Sequence, residues 1–135
     1  MISPTGHNIR VSDSWGSGEY GASRDGGKRI HKGTDFIVTP GQAILAPCGG
    51  QVVRIKRPYS DAVDGVLFSG IFVRSINYEY TLFYFTPLSD IIGKKIFEGD
   101  LIGYAQDISI KYPGIIPHVH LQFDSINPEL FLGLP

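Results

Sequence analysis

Short apolar runs, separated by glycine and proline, recur along the chain and predict β-strands. These runs cover residues 34–38, 43–46, 51–55, 66–76, 78–85, 101–105 and 118–123. No stretch carries a convincing apolar period of about 3.6 residues, so we expect little helix beyond one turn near residues 128–131. The pattern predicts an all-β fold, a small antiparallel sheet or β-sandwich-like domain with long loops.

The first 30 residues depart from this pattern, because they are rich in glycine, serine and charge and hold few apolar residues. We expect a loop-rich segment, with one short strand at most, that packs against the rest. A chain of 135 residues fits a single domain over residues 1–135. Such a domain can bury a core without disulfide bonds. The single cysteine, Cys48, excludes an intrachain disulfide.

Charge narrows the classes of partner. The chain has 12 Lys and Arg residues and 13 Asp and Glu residues, which gives a formal net charge of -1. We therefore expect no nucleic-acid partner. No apolar run approaches the roughly 18 residues that a membrane span needs. The N-terminal residues show no charged leader followed by an apolar run, so we expect no signal peptide, and the localisation stays open.

Two histidines separated by one residue, His118 and His120, lie in the last predicted strand. Side chains at positions i and i+2 of a strand point to the same face, so both imidazoles are expected in one site. Pro117 precedes the pair and favours an extended backbone over a helix. Histidine is the commonest metal ligand among side chains. A pair of exposed polar strand residues is the alternative interpretation.

His31 and Asp35 form a second motif, His-Lys-Gly-Thr-Asp, at the beginning of the first strand-like run. In an extended segment, residues i and i+4 also share a face. Imidazole and carboxylate groups both bind zinc. Taken alone, the motif is also compatible with a hydrogen-bonded histidine and an aspartate in a turn beside Gly33.

Together, the two motifs favour a metal site. They hold three of the four histidines, and the fourth, His7, lies in a loop-like segment. Two imidazoles and one carboxylate form a zinc ligand set that leaves a coordination position open, as in catalytic zinc sites. The remaining histidine of the pair is then free to act as a base in metal-assisted hydrolysis.

Several segments resemble the lysostaphin/LytM-type zinc peptidases, which cut peptide bonds in bacterial peptidoglycan, often next to glycine. They are the His31 to Asp35 motif, the pattern Gly-x-x-x-x-Ala-Pro-x-x-Gly at 41–50, the run Glu-Gly-Asp-Leu-Ile-Gly at 98–103, and His118-Val-His120. Their order and spacing match from about residue 10 to residue 125. Segments 18–24, 58–59, 83–84 and 112–115 further resemble the leukocyte cell-derived chemotaxin branch. Members of that branch keep the fold and the zinc and are known as signalling proteins.

The resemblance implies a role for each residue of the two motifs. His31, Asp35 and His120 match the three ligands of one zinc ion. His118 matches a catalytic histidine that acts as a base or stabilises the transition state.

The chain differs from the peptidases at one catalytic position. The peptidases have a further catalytic histidine in a Tyr-x-His-Leu segment, where residues 83–88 here read Phe-Tyr-Phe-Thr-Pro-Leu. We expect Tyr84 to occupy that space. Its hydroxyl can donate a hydrogen bond to an oxyanion, but a pKa near 10 makes a tyrosine a poor base at neutral pH. The chemotaxin branch shares this departure.

Smaller sets of residues have both a functional and a structural interpretation. Trp15, Tyr20, Tyr59 and Tyr112 are candidates to line a groove for an extended peptide, although aromatic residues at domain edges also serve in packing. Arg24 is a candidate to steer a carboxylate, with a surface salt bridge as the alternative.

Three functional hypotheses follow. The first is a zinc-dependent endopeptidase that cuts glycine-containing peptides of peptidoglycan at the cell wall, delivered by a virion or other cell-wall-penetrating machinery. The second is a zinc-stabilised binding or signalling module of the chemotaxin type, with impaired catalysis. The third is a subunit of a larger assembly. The open coordination position and the retained His118 favour the first.

Overall fold

The computed structural model describes residues 1–10, 12–24, 27, 29–123 and 129. Its strands are β1 (Ser23–Arg24), β2 (Arg29–Ile30), β3 (Thr34–Ile37), β4 (Ala43–Leu45), β5 (Gly50–Lys56), β6 (Gly70–Arg74), β7 (Glu79–Phe83), β8 (Phe85–Pro87), β9 (Lys95–Ile96), β10 (Leu101–Ala105) and β11 (His118–Phe123). An α-helical turn, α1 (Asp64–Leu67), and a 3-10 turn, Ile108–Ile110, accompany them. Among the described residues, no helix has the length and apolar character needed to cross a membrane.

The strands form two packed antiparallel sheets and one small ribbon. The large sheet has six strands in the order β3-β11-β7-β6-β5-β9, and the small sheet has the order β4-β10-β8. β1 and β2 form a separate two-stranded ribbon. Both sheets contribute fully buried residues to one core, among them Val52, Ile71, Leu82, Val119 and Leu121 from the large sheet and Ile44, Phe85 and Ile102 from the small one. The fold is therefore all-β and sandwich-like, as the sequence predicts.

Alternation along β11 separates core from site. Val119, Leu121 and Phe123 lie in the core cluster. Because neighbouring side chains of a strand point to opposite faces, His118, His120 and Gln122 lie on the other face of the large sheet.

The outer edge of β3 is covered by the N-terminal segment. Ile9 forms a bridge with Phe36, and the Arg10 amide donates to the Asp35 carbonyl at 2.7 Å. The Asp35 amide in turn donates to the Gly18 carbonyl at 2.8 Å. These backbone bonds occupy an edge that would otherwise be open to pairing with another chain.

Two predicted strands differ from the observed ones. The run 66–76 is a strand only over Gly70–Arg74, and its first residues, Val66 and Leu67, belong to α1. Val66 is 74% exposed, so this apolar residue is not part of the core. The run 78–85 is interrupted at Tyr84, where the chain passes from the large sheet to the small one.

The loop-rich N-terminal region holds two short strands rather than one at most, because Ser23 and Arg24 pair with Ile30 and Arg29. The expected helical turn at 128–131 lies outside the described residues, apart from Glu129.

Candidate metal centre

Strand pairing brings the two histidine motifs together. β3 and β11 are antiparallel neighbours, and their register places Asp35 directly opposite His120. Directly opposed residues of two strands project to the same face of a sheet. His31 precedes β3. Its amide donates to the Ala22 carbonyl at 2.8 Å, which ties it to the segment before β1.

Three ligand-type atoms converge at this point. His31 Nε2 lies 3.0 Å from His120 Nδ1 and 3.2 Å from Asp35 Oδ1. His120 Nδ1 lies 2.9 Å from the same Asp35 oxygen. His31 and Asp35 are buried and His120 is partly exposed, so solvent reaches the group from the side of His120.

In His31 and His120, one ring nitrogen faces the group (the inward nitrogen) and the other faces away from it (the outward nitrogen). The hydrogen bond of the outward nitrogen determines whether the inward nitrogen carries a hydrogen or a lone pair. His31 Nδ1 lies 3.0 Å from the Glu19 carbonyl oxygen, and His120 Nε2 lies 3.1 Å from Gln122 Oε1. Both outward nitrogens therefore carry the hydrogen, and both inward nitrogens present a lone pair when the rings are neutral. With the Asp35 carboxylate, three acceptors face one another, and a cation satisfies all of them.

The spacing of these atoms also suits zinc. Ligand atoms about 2.1 Å from an ion at tetrahedral angles are about 3.4 Å apart. The three atoms are 2.9–3.2 Å apart, so a shift of about half an ångström would seat the ion. Gly33 leaves room for the His120 ring, because a Cβ at this glycine would lie 2.5 Å from His120 Cε1. The donor set and its surroundings fit the metal.

Arg10 fixes the second oxygen of the Asp35 carboxylate. Its Nε and Nη2 donate to Asp35 Oδ2 at 3.3 and 3.2 Å, and both side chains are almost fully buried. Burial alone would raise the pKa of Asp35, but the imidazoles of His118, His120 and His31 outweigh it and hold that pKa well below its usual range. Asp35 is therefore ionised at neutral pH, with Oδ1 directed toward the two inward nitrogens.

His118 lies next to this group without being one of the three converging residues. Its Nδ1 donates to the Ile116 carbonyl at 2.8 Å, and its Nε2 lies 3.5 Å from Asp35 Oδ2. Burial lowers the pKa of His118, so the neutral ring with a free Nε2 lone pair dominates. A neutral imidazole in this position can accept a proton.

Tyr84 reaches the same region from the corner between β7 and β8. Its backbone φ is 76°, in the left-handed region that a bulky side chain rarely adopts. Its ring packs edge-on against His118, with the centroids 5.5 Å apart. Burial raises the pKa of Tyr84 to about 12, so the phenol keeps its proton at neutral pH. Strain of this kind clusters at functional sites.

A comparison with known proteins places this fold in a family. The chain is 30% identical over 131 residues to leukocyte cell-derived chemotaxin-2 of Mus musculus, covering 96% of the chain and 83% of that protein. The chain belongs to the leukocyte cell-derived chemotaxin-2 family. No protein-family model matches it.

Solved structures show that this chemotaxin-2 family member has a LytM-type fold. It superposes on lysostaphin with a TM-score of 0.67 and 19% identity, covering 98% of the chain and 56% of lysostaphin, or about half its length. It also matches the catalytic domain of the antimicrobial peptidase lysostaphin from Staphylococcus simulans, with a TM-score of 0.57 and 19% identity. That match covers 90% of the chain and 91% of the catalytic domain.

Some of the aromatic residues considered as groove candidates lie together in this chemotaxin-2 family member. The Tyr59 and Tyr112 hydroxyls are 3.0 Å apart, and the Trp15 ring lies 5.1 Å from that of Tyr112. Tyr84 joins them through its hydroxyl, 3.4 Å from that of Tyr59. Tyr20 has no ring contact with this cluster among the described residues, and its amide donates to Glu129 Oε2.

Sequence reasoning missed several supporting residues. Arg10 lies 25 positions before Asp35, outside any motif, so nothing local marks it. Gln122 follows the alternation of His118 and His120, so the same pattern would have found it. Arg24, considered as a surface ion pair, lies 3.9 Å from Asp35 Oδ2 and is partly buried.

Proposed function

We propose that this chain is a zinc-dependent peptidase acting on glycine-containing peptides of peptidoglycan, with His31, Asp35 and His120 as the metal ligands. The observation that carries the proposal is the convergence of three acceptor atoms within 2.9–3.2 Å of one another. Two imidazoles and one carboxylate are the ligand set of hydrolytic zinc sites, which leave a position open for water or substrate. The bound ion supplies Lewis-acid activation.

His118 is the proposed base. Its Nδ1 hydrogen is committed to the Ile116 carbonyl, so Nε2 is the nitrogen available to take a proton from the attacking water. The same nitrogen can then return the proton to the leaving amine. His118 and the proposed ligand His120 lie on β11, and Asp35 lies on its neighbour β3, so the base and two of the three ligands belong to one strand pair.

Tyr84 is proposed as a hydrogen-bond donor rather than a second base. With a pKa raised to about 12, its hydroxyl stays protonated at neutral pH and can donate to the developing oxyanion of the peptide carbonyl. This role compensates in part for the histidine that the related peptidases carry at this point.

The proposed site of action is the bacterial cell wall, to which a virion or other machinery would deliver the domain. Support comes from the superposition on lysostaphin, which is described as an antimicrobial peptidase. The fold supports this proposal, and the side chains of the metal centre supply its chemistry.

A binding or signalling module of the chemotaxin type is the second candidate. Family membership favours it, and so does Tyr84, whose phenol cannot serve as a base at neutral pH. In this function zinc would stabilise the fold, and the aromatic cluster of Trp15, Tyr59 and Tyr112 would contact the partner.

The deciding experiment incubates the zinc-loaded chain with pentaglycine and with purified peptidoglycan and follows the products by mass spectrometry. We expect cleavage by the native chain and its loss in His118→Ala, because the base is removed while the three ligands remain. His7→Ala is the matched control, since His7 is an exposed histidine outside the site.

Zinc content is measured in parallel on all three proteins. Cleavage that persists in His118→Ala would remove His118 from the mechanism. Absence of cleavage by a native sample holding one zinc per chain would favour the binding module instead.

A further inference from the structure

The outer face of the large sheet carries a basic cluster, defined here as Arg54, Lys56 and Arg74 around the ring of Phe72. The Arg54 Cζ and Lys56 Nζ atoms each lie 5.2 Å from the centre of that ring, and the Arg74 Cζ atom lies 5.7 Å from it. Three cations over one half-buried aromatic ring form a surface of concentrated positive charge.

Cross-strand register places this basic cluster on the same face as the metal centre. His120 lies opposite Phe83, Phe83 opposite Gly70, and Gly70 opposite Lys56. Phe72 lies opposite both Thr81 and Arg54, one row further along the same face. Directly opposed residues share a face, so the two sites face the same solvent.

The separation of the two sites follows from this row of residues. Lys56 is three strands away from His120, and neighbouring strands are about 4.8 Å apart, which gives about 14 Å. An extended peptide advances about 3.4 Å per residue, so about four residues span this distance.

The positive charge of the basic cluster is only partly compensated within the described residues. Arg74 pairs with Glu79 at 3.1 Å, and both side chains are exposed. Lys56 Nζ donates one hydrogen bond to Thr81 Oγ1 at 3.0 Å, which leaves two hydrogens. For Arg54, the described part of the chain supplies no hydrogen-bond or ion-pair partner. One carboxylate against three cations leaves the cluster able to bind an anion.

We propose that the basic cluster binds a carboxylate of an extended peptide that crosses the sheet, about four residues from the carbonyl positioned at the metal centre. The inference rests on the proposed function, because it takes the metal centre as the place of the peptide bond. Arg54 offers the planar fork that matches a carboxylate, and Lys56 adds a second charge. The ligand is therefore a peptide with an acidic group at a fixed distance.

The test measures binding by fluorescence anisotropy to the zinc-loaded chain. The probes are dye-labelled glycine peptides of two and six residues, each made with a C-terminal acid and with a C-terminal amide. We expect the six-residue acid to bind about fivefold more tightly than its amide, since exposed charge pairs are individually weak. The two-residue pair should show no difference, and added salt should reduce the preference.

The double variant Arg54→Gln/Lys56→Gln separates the basic cluster from the metal as the source of any acid preference, and it leaves the Arg74–Glu79 pair intact. Gln keeps part of the packing over Phe72 but removes the charge. We expect the acid preference to fall below twofold, with circular dichroism confirming the fold. Lys94→Gln is the control, because Lys94 is an exposed lysine in a loop ion pair with Asp90. The control should keep the preference.

The outcomes test the basic cluster independently of peptide cleavage. Equal binding of acid and amide, or a preference that survives in the double variant, would overturn the proposal even if the peptide is cut. A preference that depends on Arg54 and Lys56 would support the proposal even if nothing is cut, and the absence of cleavage would then count against the peptidase.

Discussion

At the scale of single residues, Arg10 shows how the buried charge of Asp35 is held. Both side chains are 2% exposed, and Arg10 also donates to Asp13 Oδ2 at 2.8 Å and to the Gly16 carbonyl at 2.7 Å. Because every acceptor is fixed, the guanidinium cannot move without breaking several bonds. Arg10 therefore orients the carboxylate that faces the two histidines.

Replacing Arg10 by methionine should destabilise the chain by about 3–5 kcal/mol, because the buried Asp35 carboxylate loses the cation that donates two hydrogen bonds to it. Urea unfolding measures the loss. Arg54→Met is the matched control, since Arg54 is exposed on the sheet face, and it should change stability by about 0.5 kcal/mol or less. Equal stability of the native chain and Arg10→Met would show that the Asp35 charge is compensated without Arg10.

The convergence of the histidine motifs could be predicted from the sequence, but their supporting residues could not. Alternation in a strand already puts His118 and His120 on one face, and β11 has that face turned away from the core. Arg10 and the Glu19 carbonyl contribute through contacts between distant segments. Single-sequence patterns carry no signal for such contacts.

At the scale of elements, the loop 12–16 is tied to the segment that leads into β11. Asp13 Oδ2 accepts the Ile116 amide at 2.9 Å, and Asp13 Oδ1 accepts the Trp15 amide at 2.8 Å. Burial raises the pKa of Asp13, but these two amides and Arg10 outweigh it and leave that pKa below its usual value. The ionised carboxylate is thus the form that holds the loop.

This depressed pKa determines the sign of a pH effect. The stabilisation from Asp13 is complete above the unfolded-state pKa of about 3.9 and is lost as the pH falls through the lower folded-state pKa. Asp13→Asn should therefore be less stable than the native chain at pH 7, and its stability should fall less steeply below pH 4. Urea unfolding from pH 7 to pH 3 measures both.

A control separates this buried effect from surface charge. Asp90→Asn removes an exposed carboxylate whose pKa is lowered by its hydrogen bond to Lys94. In high salt its pH profile should match that of the native chain, because exposed pairs are screened. If the stability of Asp13→Asn fell below pH 4 as steeply as that of the native chain, the role of Asp13 would be contradicted.

Tyr84 explains one failure of strand prediction. Residues 78–85 read as one apolar strand, yet the left-handed backbone of Tyr84 turns the chain from the large sheet to the small one. Its amide and the Phe85 amide both donate to the Ser69 carbonyl, at 2.8 and 3.2 Å. This corner depends on a tertiary acceptor, so the local pattern of apolar residues cannot reveal it.

At the scale of the whole molecule, metal binding should couple to folding. Three acceptor atoms from β3, β11 and the segment before β3 face one another, so a cation would remove their mutual repulsion. Zinc in about 1,000-fold excess over its Kd should stabilise the chain by about 4 kcal/mol, a rise in Tm on the order of 10 °C. Differential scanning fluorimetry with zinc and with a chelator measures it.

Magnesium and a ligand variant serve as controls for this prediction. Magnesium prefers octahedral oxygen ligands, so it should leave the Tm unchanged. His31→Ala should abolish the response to zinc, because only two of the three ligand atoms remain. A zinc response that persists in His31→Ala would place the ion elsewhere.

The all-β fold follows from local alternation, but the division into two sheets does not. Seven apolar runs predict strands near most of the observed ones, and β10 and β11 agree in both bounds. The strand order β3-β11-β7 pairs β3 with a strand more than 80 residues later in the sequence, a choice that depends on tertiary packing. The short β9 has no pattern of its own, because it contributes only two residues to the edge.

The pairing of β3 with β11 has a consequence for synthesis of the chain. Asp35 leaves the ribosome 85 residues before His120, and the intervening strands β5, β6, β7 and β9 form the rest of the large sheet. A nascent chain that stops before residue 118 has the first two proposed ligands but lacks β11, the strand that brings them His120. An ion retained at this centre would thus mark a polypeptide that has been translated through β11, and products truncated before it would be the ones that fail to keep the ion.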